Sequence, residues 1–166
     1  MIDYHCHLDL YPNPLKIFDE VKSKEVDVLA VTTSPRAYIK TSQYFSNLKK
    51  VRVAVGLHPE LVAQRQSEWT LFMQIIKKCK YIGEIGIDGS QRFRDSLDIQ
   101  TTFFREALAE VERNRDISSV FTPGVQRNKF YPLLNTQKEI VSLFFIGLWE
   151  ALKKSSGQLS LVVGLV

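Results

Sequence analysis

Apolar and polar positions follow two rhythms along the first two-thirds of the chain, and the switches between them outline strands and helices. Met1-Ile2-Asp3-Tyr4 reads as a short buried strand, and Val26–Thr33, Val51–Gly56 and Lys80–Ile87 are further apolar, β-branched runs. The segments between them repeat apolar residues at helical spacing. Pro14–Lys24 sets Leu15, Phe18 and Val21 on one face, and Ser67–Cys79 does the same with Trp69, Phe72, Ile75 and Ile76. Leu97–Arg113 carries Phe103, Phe104, Leu108 and Val111. Ser34-Pro35 opens one more helix, where Ser34 can cap and Pro35 suits the first turn. Strands alternating with helices imply parallel pairing and right-handed crossovers, hence an α/β architecture. Four such βα units fit within roughly the first 115 residues.

After Glu112 the patterning fails. Ile117–Leu134 contains Pro123, Gly124 and Pro132 but keeps neither the strand nor the helix period. Glu150–Lys154 reads as a helical scrap. Leu159–Val166 is a bare apolar run, which as an exposed edge would invite aggregation or pairing with a partner. The expectation is a single domain over residues 1–166, well patterned over 1–112 and aberrant over 113–166.

Composition narrows the class without naming a function. A 166-residue chain that is 24% charged is an ordinary globular composition, long enough to bury a core without disulfides. The two cysteines, Cys6 and Cys79, have no framework spacing, so a reducing cytoplasmic interior is expected, with Cys6 packed under the site and Cys79 in a helix. The start of the chain lacks the pattern of a signal peptide, and the longest apolar stretch, Val141–Trp149, is too short to span a bilayer. A net charge of +4 permits contact with nucleic acid but does not argue for it.

Chemistry enters at His5-Cys6-His7. Side chains two apart on a strand point to the same side, and two imidazoles at a strand end form a natural pair of ligands for a borderline metal such as Zn²⁺. The chain has three histidines, so only His58 remains beyond this pair. A metal site begun by His5 and His7 must be completed by carboxylates or by another chain. Glu84 is the first candidate, because a carboxylate inside the apolar strand Ile82–Ile87 is costly to bury unless paired, hydrogen-bonded or metal-bound. Its flanking Gly83 and a further Gly86 let backbone or ligand come close. Asp88, at the strand end, either orients a ligand or caps the following loop. His58, in Gly56-Leu57-His58-Pro59, is either a capping residue or a member of the site. Polar residues at the carboxyl ends of barrel strands collect in one place, which favours a single site holding His5, His7, His58 and Glu84. Metal ligands are then His5, His7 and Glu84, and candidates for catalytic roles are Glu84, His58 and Asp88. Asp3 and Asp9 suit solvent-facing or capping positions.

Taken in order, Ile2-Asp3-Tyr4-His5-Cys6-His7-Leu8-Asp9, Ala54-Val55-Gly56-Leu57-His58-Pro59 and Ile82-Gly83-Glu84-Ile85-Gly86-Ile87-Asp88 resemble the TatD family of metal-dependent deoxyribonucleases. Gln100 and Phe104 also fit that family's pattern, and the likeness spans residues 1–112. It implies a (β/α)8 TIM barrel, here an incomplete one with about four clear βα units. It implies one or two divalent metals (Zn²⁺, Mg²⁺ or Mn²⁺) acting on phosphodiester bonds of DNA or another nucleic acid. His5 and His7 would bind the first metal, Glu84 would be shared between two metals, and His58 would lie on the phosphate side or support the ligands. A two-metal clamp stabilises both attacking and leaving oxygens, and phosphate contacts carry most of the affinity for nucleic acid. Gly89-Ser90 departs from the aromatic residues common in the family and is similar instead to TatD-like proteins of bacterial anti-phage defence clusters.

The same resemblance implies two further histidines and a late Asp. No histidine follows His58, and Asp116 comes too early for the late Asp. Barrels of this kind take roughly 250 residues, so an incomplete barrel with an impaired site is expected. A shifted reading frame accounts for the gap. Phe121-Thr122-Pro123-Gly124-Val125-Gln126 stands where the family has a pattern like Ile-His-Ser-Arg-x-Ala, and codons for these residues, read one base earlier, are compatible with it. The same shift across Leu143-Phe144-Phe145-Ile146-Gly147 permits two apolar residues, a His, then Trp or Arg. Both coincidences share one direction, which favours an insertion or deletion near residues 113–120. Sequencing the coding DNA from codon 110 past codon 166 is expected to restore both histidines in the shifted frame and to continue into a late Asp. A coding sequence with no such alternative frame defeats the idea.

Two other classes compete. One is a non-catalytic fragment acting as a binding subunit, with a protein partner or oligomer covering the open barrel edge. The other is a carbon–nitrogen hydrolase of the amidohydrolase type, disfavoured because those enzymes more often bridge their metals through a Lys than through a residue like Glu84.

Overall fold

Side-chain caps and prolines punctuate the chain wherever a strand gives way to a helix. The computed structural model describes residues 2–24, 26–113 and 118–123. Within them the order is β1 (Ile2–Cys6), α1 (Pro14–Ser23), β2 (Asp27–Val31), α2 (Pro35–Tyr44), β3 (Val51–Ala54), α3 (Trp69–Ile76), β4 (Tyr81–Ile87), α4 (Leu97–Arg113) and β5 (Ser118–Pro123). Asn13 caps α1 by accepting the Lys16 N–H at 3.1 Å, and Ser34 caps α2 by accepting the Ala37 N–H at 3.3 Å. Pro14 and Pro35 follow those caps, where the missing N–H costs nothing.

All the pairings are parallel. β1, β2 and β3 form one ladder in sequence order, and β4 pairs with β5. Val55, just past β3, joins the two ladders: its N–H reaches Tyr81 O at 3.1 Å, and its carbonyl accepts the Gly83 N–H at 2.7 Å. Five strands thus run side by side in chain order with a helix in each of the first four connections. That is the winding of a barrel wall.

Two apolar clusters fix the helices to the strands. Phe72 and Ile76 of α3 and Phe103, Phe104 and Val111 of α4 pack with Ile82 and Ile85 of β4. Phe103 meets Trp69 and Phe72 edge-on, with centroids 5.2 Å and 4.9 Å away. Burying such rings stabilises the fold by roughly 2–3 kcal/mol each. The smaller cluster, Leu8, Val28, Ala30 and Phe45, gathers Cys6, Ile17 and Val21 around it. Cys6, expected under the site, is half-buried against this cluster.

The observed elements differ from the sequence reading in three places. α3 begins at Trp69 because Gln66–Glu68 forms a 3-10 turn that tucks Glu68 inside. Cys79 lies in the turn after α3 rather than within a helix, and its thiol donates to Ile76 O at 3.7 Å. Burial pushes that thiol up to about 11, so it stays protonated at neutral pH. The third difference is β5, found where no strand period is legible. Its six residue pairs with β4 are made by backbone groups, which any side-chain pattern can supply. Val141–Trp149, Glu150–Lys154 and Leu159–Val166 lie outside the described residues, as does most of the 113–166 stretch. Among the described residues no helix is long and apolar enough to cross a membrane.

Candidate metal centre

Each of the two strands that supply the converging ligands carries one extra residue close to its ligand. From Asp3 to Cys6 β1 takes three steps while β2 takes two, from Val28 to Ala30. From Ile82 to Glu84 β4 takes two steps while β5 takes one, from Ser119 to Val120. Such a bulge bends a strand and re-aims a side chain. In β1 Asp3 Oδ1 accepts the His5 N–H at 3.0 Å, so Asp3 caps the irregularity rather than facing solvent. In β4 the Gly83 N–H turns to Val55 O. A Cβ on Gly83 would meet Val31 Cγ1 at 2.9 Å, so only glycine lets the wall close here without a shift.

Three side chains converge as a result. His5, His7 and Glu84 each offer a ligand atom, and these atoms lie within 4.8 Å of one another. His5 Nε2 is 3.4 Å from Glu84 Oε1, and His7 Nε2 is 3.8 Å from Glu84 Oε2. His58 Nε2 approaches the same Oε2 at 3.9 Å. The structure thus brings together the four residues that the sequence assigned to one site.

Protonation follows from the outer partners. His7 Nδ1 lies 2.8 Å from the Val31 carbonyl, which can only accept, so Nδ1 carries the hydrogen and a neutral His7 keeps a lone pair on Nε2. His58 is the reverse. Its Nδ1 accepts the Glu60 N–H at 3.3 Å, so a neutral His58 carries its hydrogen on Nε2. His7 is poised to ligate and His58 to donate. The two Nε2 atoms of His5 and His7 are 3.3 Å apart, close enough for one small cation to bind both lone pairs. Burial raises the Glu84 carboxyl, but the hydrogen bond from His5 and the charges of His58, His7 and His5 outweigh it and hold the group below its ordinary value.

Asp88 plays the plainer of its two anticipated parts in this geometry. Its Oδ1 accepts the Ser90 N–H at 2.7 Å, and its own N–H donates to buried Gln100 Oε1 at 2.7 Å. Gln100 Nε2 in turn donates to Ser96 Oγ at 2.8 Å, which ties the loop after β4 to α4. Asp9, expected to face solvent or to cap, is half-buried. Its Oδ1 is buried without a hydrogen-bond partner. Burial raises its carboxyl first, its own N–H and nearby His7 lower it, and Glu84 raises it again, so Asp9 feels the ligand cluster. The Leu8–Leu10 3-10 turn that carries it begins straight after His7, and the sequence shows no cap signal for it.

Residues 2–140 match the family model described as TatD related DNase. The chain belongs to that family. The match covers the three motifs and runs on past residue 112. No curated protein matches the chain. TatD proteins are metal-dependent hydrolases built on a TIM barrel, and the five parallel strands here are a part of that barrel wall. The donor set fits the metal that the family uses. Two imidazoles, one already holding its free lone pair inward, and one ionised carboxylate suit a divalent ion of borderline hardness.

Proposed function

We propose that this chain binds one or two divalent metal ions through His5, His7 and Glu84 as part of a TatD-type site that hydrolyses phosphodiester bonds of DNA. The convergence of those three side chains within 4.8 Å is the observation that carries the proposal. When bound, the metal supplies Lewis acidity toward a phosphodiester oxygen. The protein does the rest. His7 is locked by Val31 O with its lone pair inward. Glu84 offers one oxygen to each side of the cluster. His58, with its Nε2–H toward Glu84, would be free to donate to a phosphate oxygen, and Asp88 holds the rim of the site by capping its loop. The two free thiols agree with work in the reducing cytoplasm.

This sequence has no histidine beyond His58 to complete the ligand set that the family implies. We therefore propose that the 166-residue chain binds metal but cleaves DNA negligibly. Calorimetric titration with Mn²⁺ and with Zn²⁺ tests the first half, and wild type is expected to bind while His5→Ala/His7→Ala does not. Equal affinity in the double variant removes the site. Plasmid incubated with the chain and Mn²⁺ is expected to stay uncut; robust cleavage that Glu84→Ala abolishes would show the site to be complete.

A further inference from the structure

Glu68 is only 3% exposed, yet it is no part of the metal centre. Its Oε1 accepts Arg65 Nη1 at 2.8 Å, and its Oε2 accepts the backbone N–H of Arg36 at 3.0 Å. The Arg36 guanidinium stands by as well, its Nε 3.9 Å from Oε1. Burying a carboxylate among cations is a poor way to gain stability, because desolvation offsets the attraction. What the arrangement does achieve is to hold two guanidinium groups side by side. Both still face water, with side chains 70% and 44% exposed, and each keeps donors that Glu68 does not use.

Their place in the fold ties them to the site. Arg36 lies in the first turn of α2, straight after Thr33 and Ser34 at the carboxyl end of β2. The His58 N–H bonds Thr33 O at 3.0 Å. From His58 the chain climbs through successive turns, Leu61 N–H to His58 O, Arg65 N–H to Leu61 O and Glu68 N–H to Arg65 O. The pair therefore sits on the rim that carries His5, His7, His58 and Glu84. The cations of the connecting loops are sorted in the same sense. Among the described residues, the loops leading from strand to helix carry Arg65, Arg92 and Arg94, whereas those leading from helix to strand carry Lys24, Lys49, Lys50, Lys77, Lys78 and Lys80. Arginine grips a phosphate through two parallel N–H bonds, which lysine cannot do.

We infer that Arg36 and Arg65, oriented by buried Glu68, form a clamp for the phosphodiester backbone of a nucleic-acid strand entering the site beside the scissile bond. The inference rests on the proposed phosphodiesterase reading and adds the residues that hold the substrate away from the metal.

The test is binding of a short fluorescein-labelled oligothymidylate to the full chain in EDTA, followed by anisotropy across a salt series. Arg36→Ala keeps the backbone N–H that Glu68 needs, so the fold survives, which circular dichroism checks. This variant is expected to bind roughly tenfold more weakly, the loss of one charged hydrogen-bonded contact. The slope of log K against log salt should flatten by about 0.7, the share of one phosphate on a single strand. Arg65→Lys keeps a charge for Glu68 but loses the fork, and is expected to weaken binding several-fold. Lys77→Ala/Lys78→Ala, on the opposite rim, is expected to bind like wild type. The clamp is wrong if Arg36→Ala binds like wild type, if the lysine variant weakens binding as much, or if poly-L-glutamate of equal charge displaces the oligonucleotide as well as unlabelled DNA does. A wild type that binds metal but no oligonucleotide also overturns the clamp, while the metal reading fails separately if His5→Ala/His7→Ala keeps its metal.

Discussion

Glu84→Gln is expected to lower the affinity for a divalent metal by about 100-fold or more while leaving the strands in place. Loss of a mere supporting partner commonly costs 10–100-fold, and Glu84 offers its oxygens directly to the cluster. The amide has the same shape, so the packing around a side chain that is 6% exposed is preserved. Its charge is gone, however, and its NH₂ group cannot be satisfied by the Nε2–H of His58 facing it. Calorimetry with Mn²⁺ measures the loss. Burial raises the Glu84 carboxyl, but His5, His58 and His7 together hold it below its ordinary 4.5. Its own contribution to stability is full above 4.5 and is lost as pH falls through the lower folded value. Glu84→Gln lacks that acid-side loss. Unchanged metal affinity in this variant would remove Glu84 from the site.

The parts of the site that could be read in the sequence are those where a polar residue breaks an apolar run. His5, His7 and Glu84 announce themselves in this way, and the structure brings them within 4.8 Å. Ser34-Pro35 was equally legible, because capping depends on neighbours three residues away. What the sequence hides is set by register and by distant partners. The extra residues in β1 and β4 leave no mark on the local pattern, since an insertion in one strand exists only relative to the strand beside it. The half-buried place of Asp9 is hidden for a related reason: strand alternation gives no warning of the 3-10 turn that follows His7. The joining of Arg36 to Glu68 and Arg65 leaves no local mark, because Arg36 is thirty-two positions from its partner. β5 carries no alternation to read, since its pairing with β4 is made by backbone groups.

Gly56→Ala is expected to be the most damaging single-atom change in the fold. A Cβ there would lie 2.1 Å from Thr32 O, 2.8 Å from Glu84 O and 3.0 Å from Glu84 N. All three are backbone atoms, and none can rotate aside. Thr32 is held by its own N–H and Oγ1, both donating to Ala54 O at 3.1 Å and 2.8 Å. Glu84 is held by the ladder to β5. The new methyl group must therefore push β2 and β4 apart, and the bonds at risk are those of Val55 that join the two ladders. Overpacking of this kind costs about 3 kcal/mol or more, which for a chain of this size lowers Tm by roughly 10 °C. Because the displaced atoms belong to Glu84, metal affinity should fall with it. Gly83→Ala provides the comparison. Its tightest contact, Val31 Cγ1 at 2.9 Å, is one side-chain methyl rather than backbone, and the Ala54 atoms lie at 3.3 Å and 3.4 Å. Thermal melts of the two variants, paired with Mn²⁺ titration, should place Gly56→Ala well below Gly83→Ala on both measures. Equal melting of the two would mean that the wall between β2 and β4 yields more easily than its backbone contacts indicate.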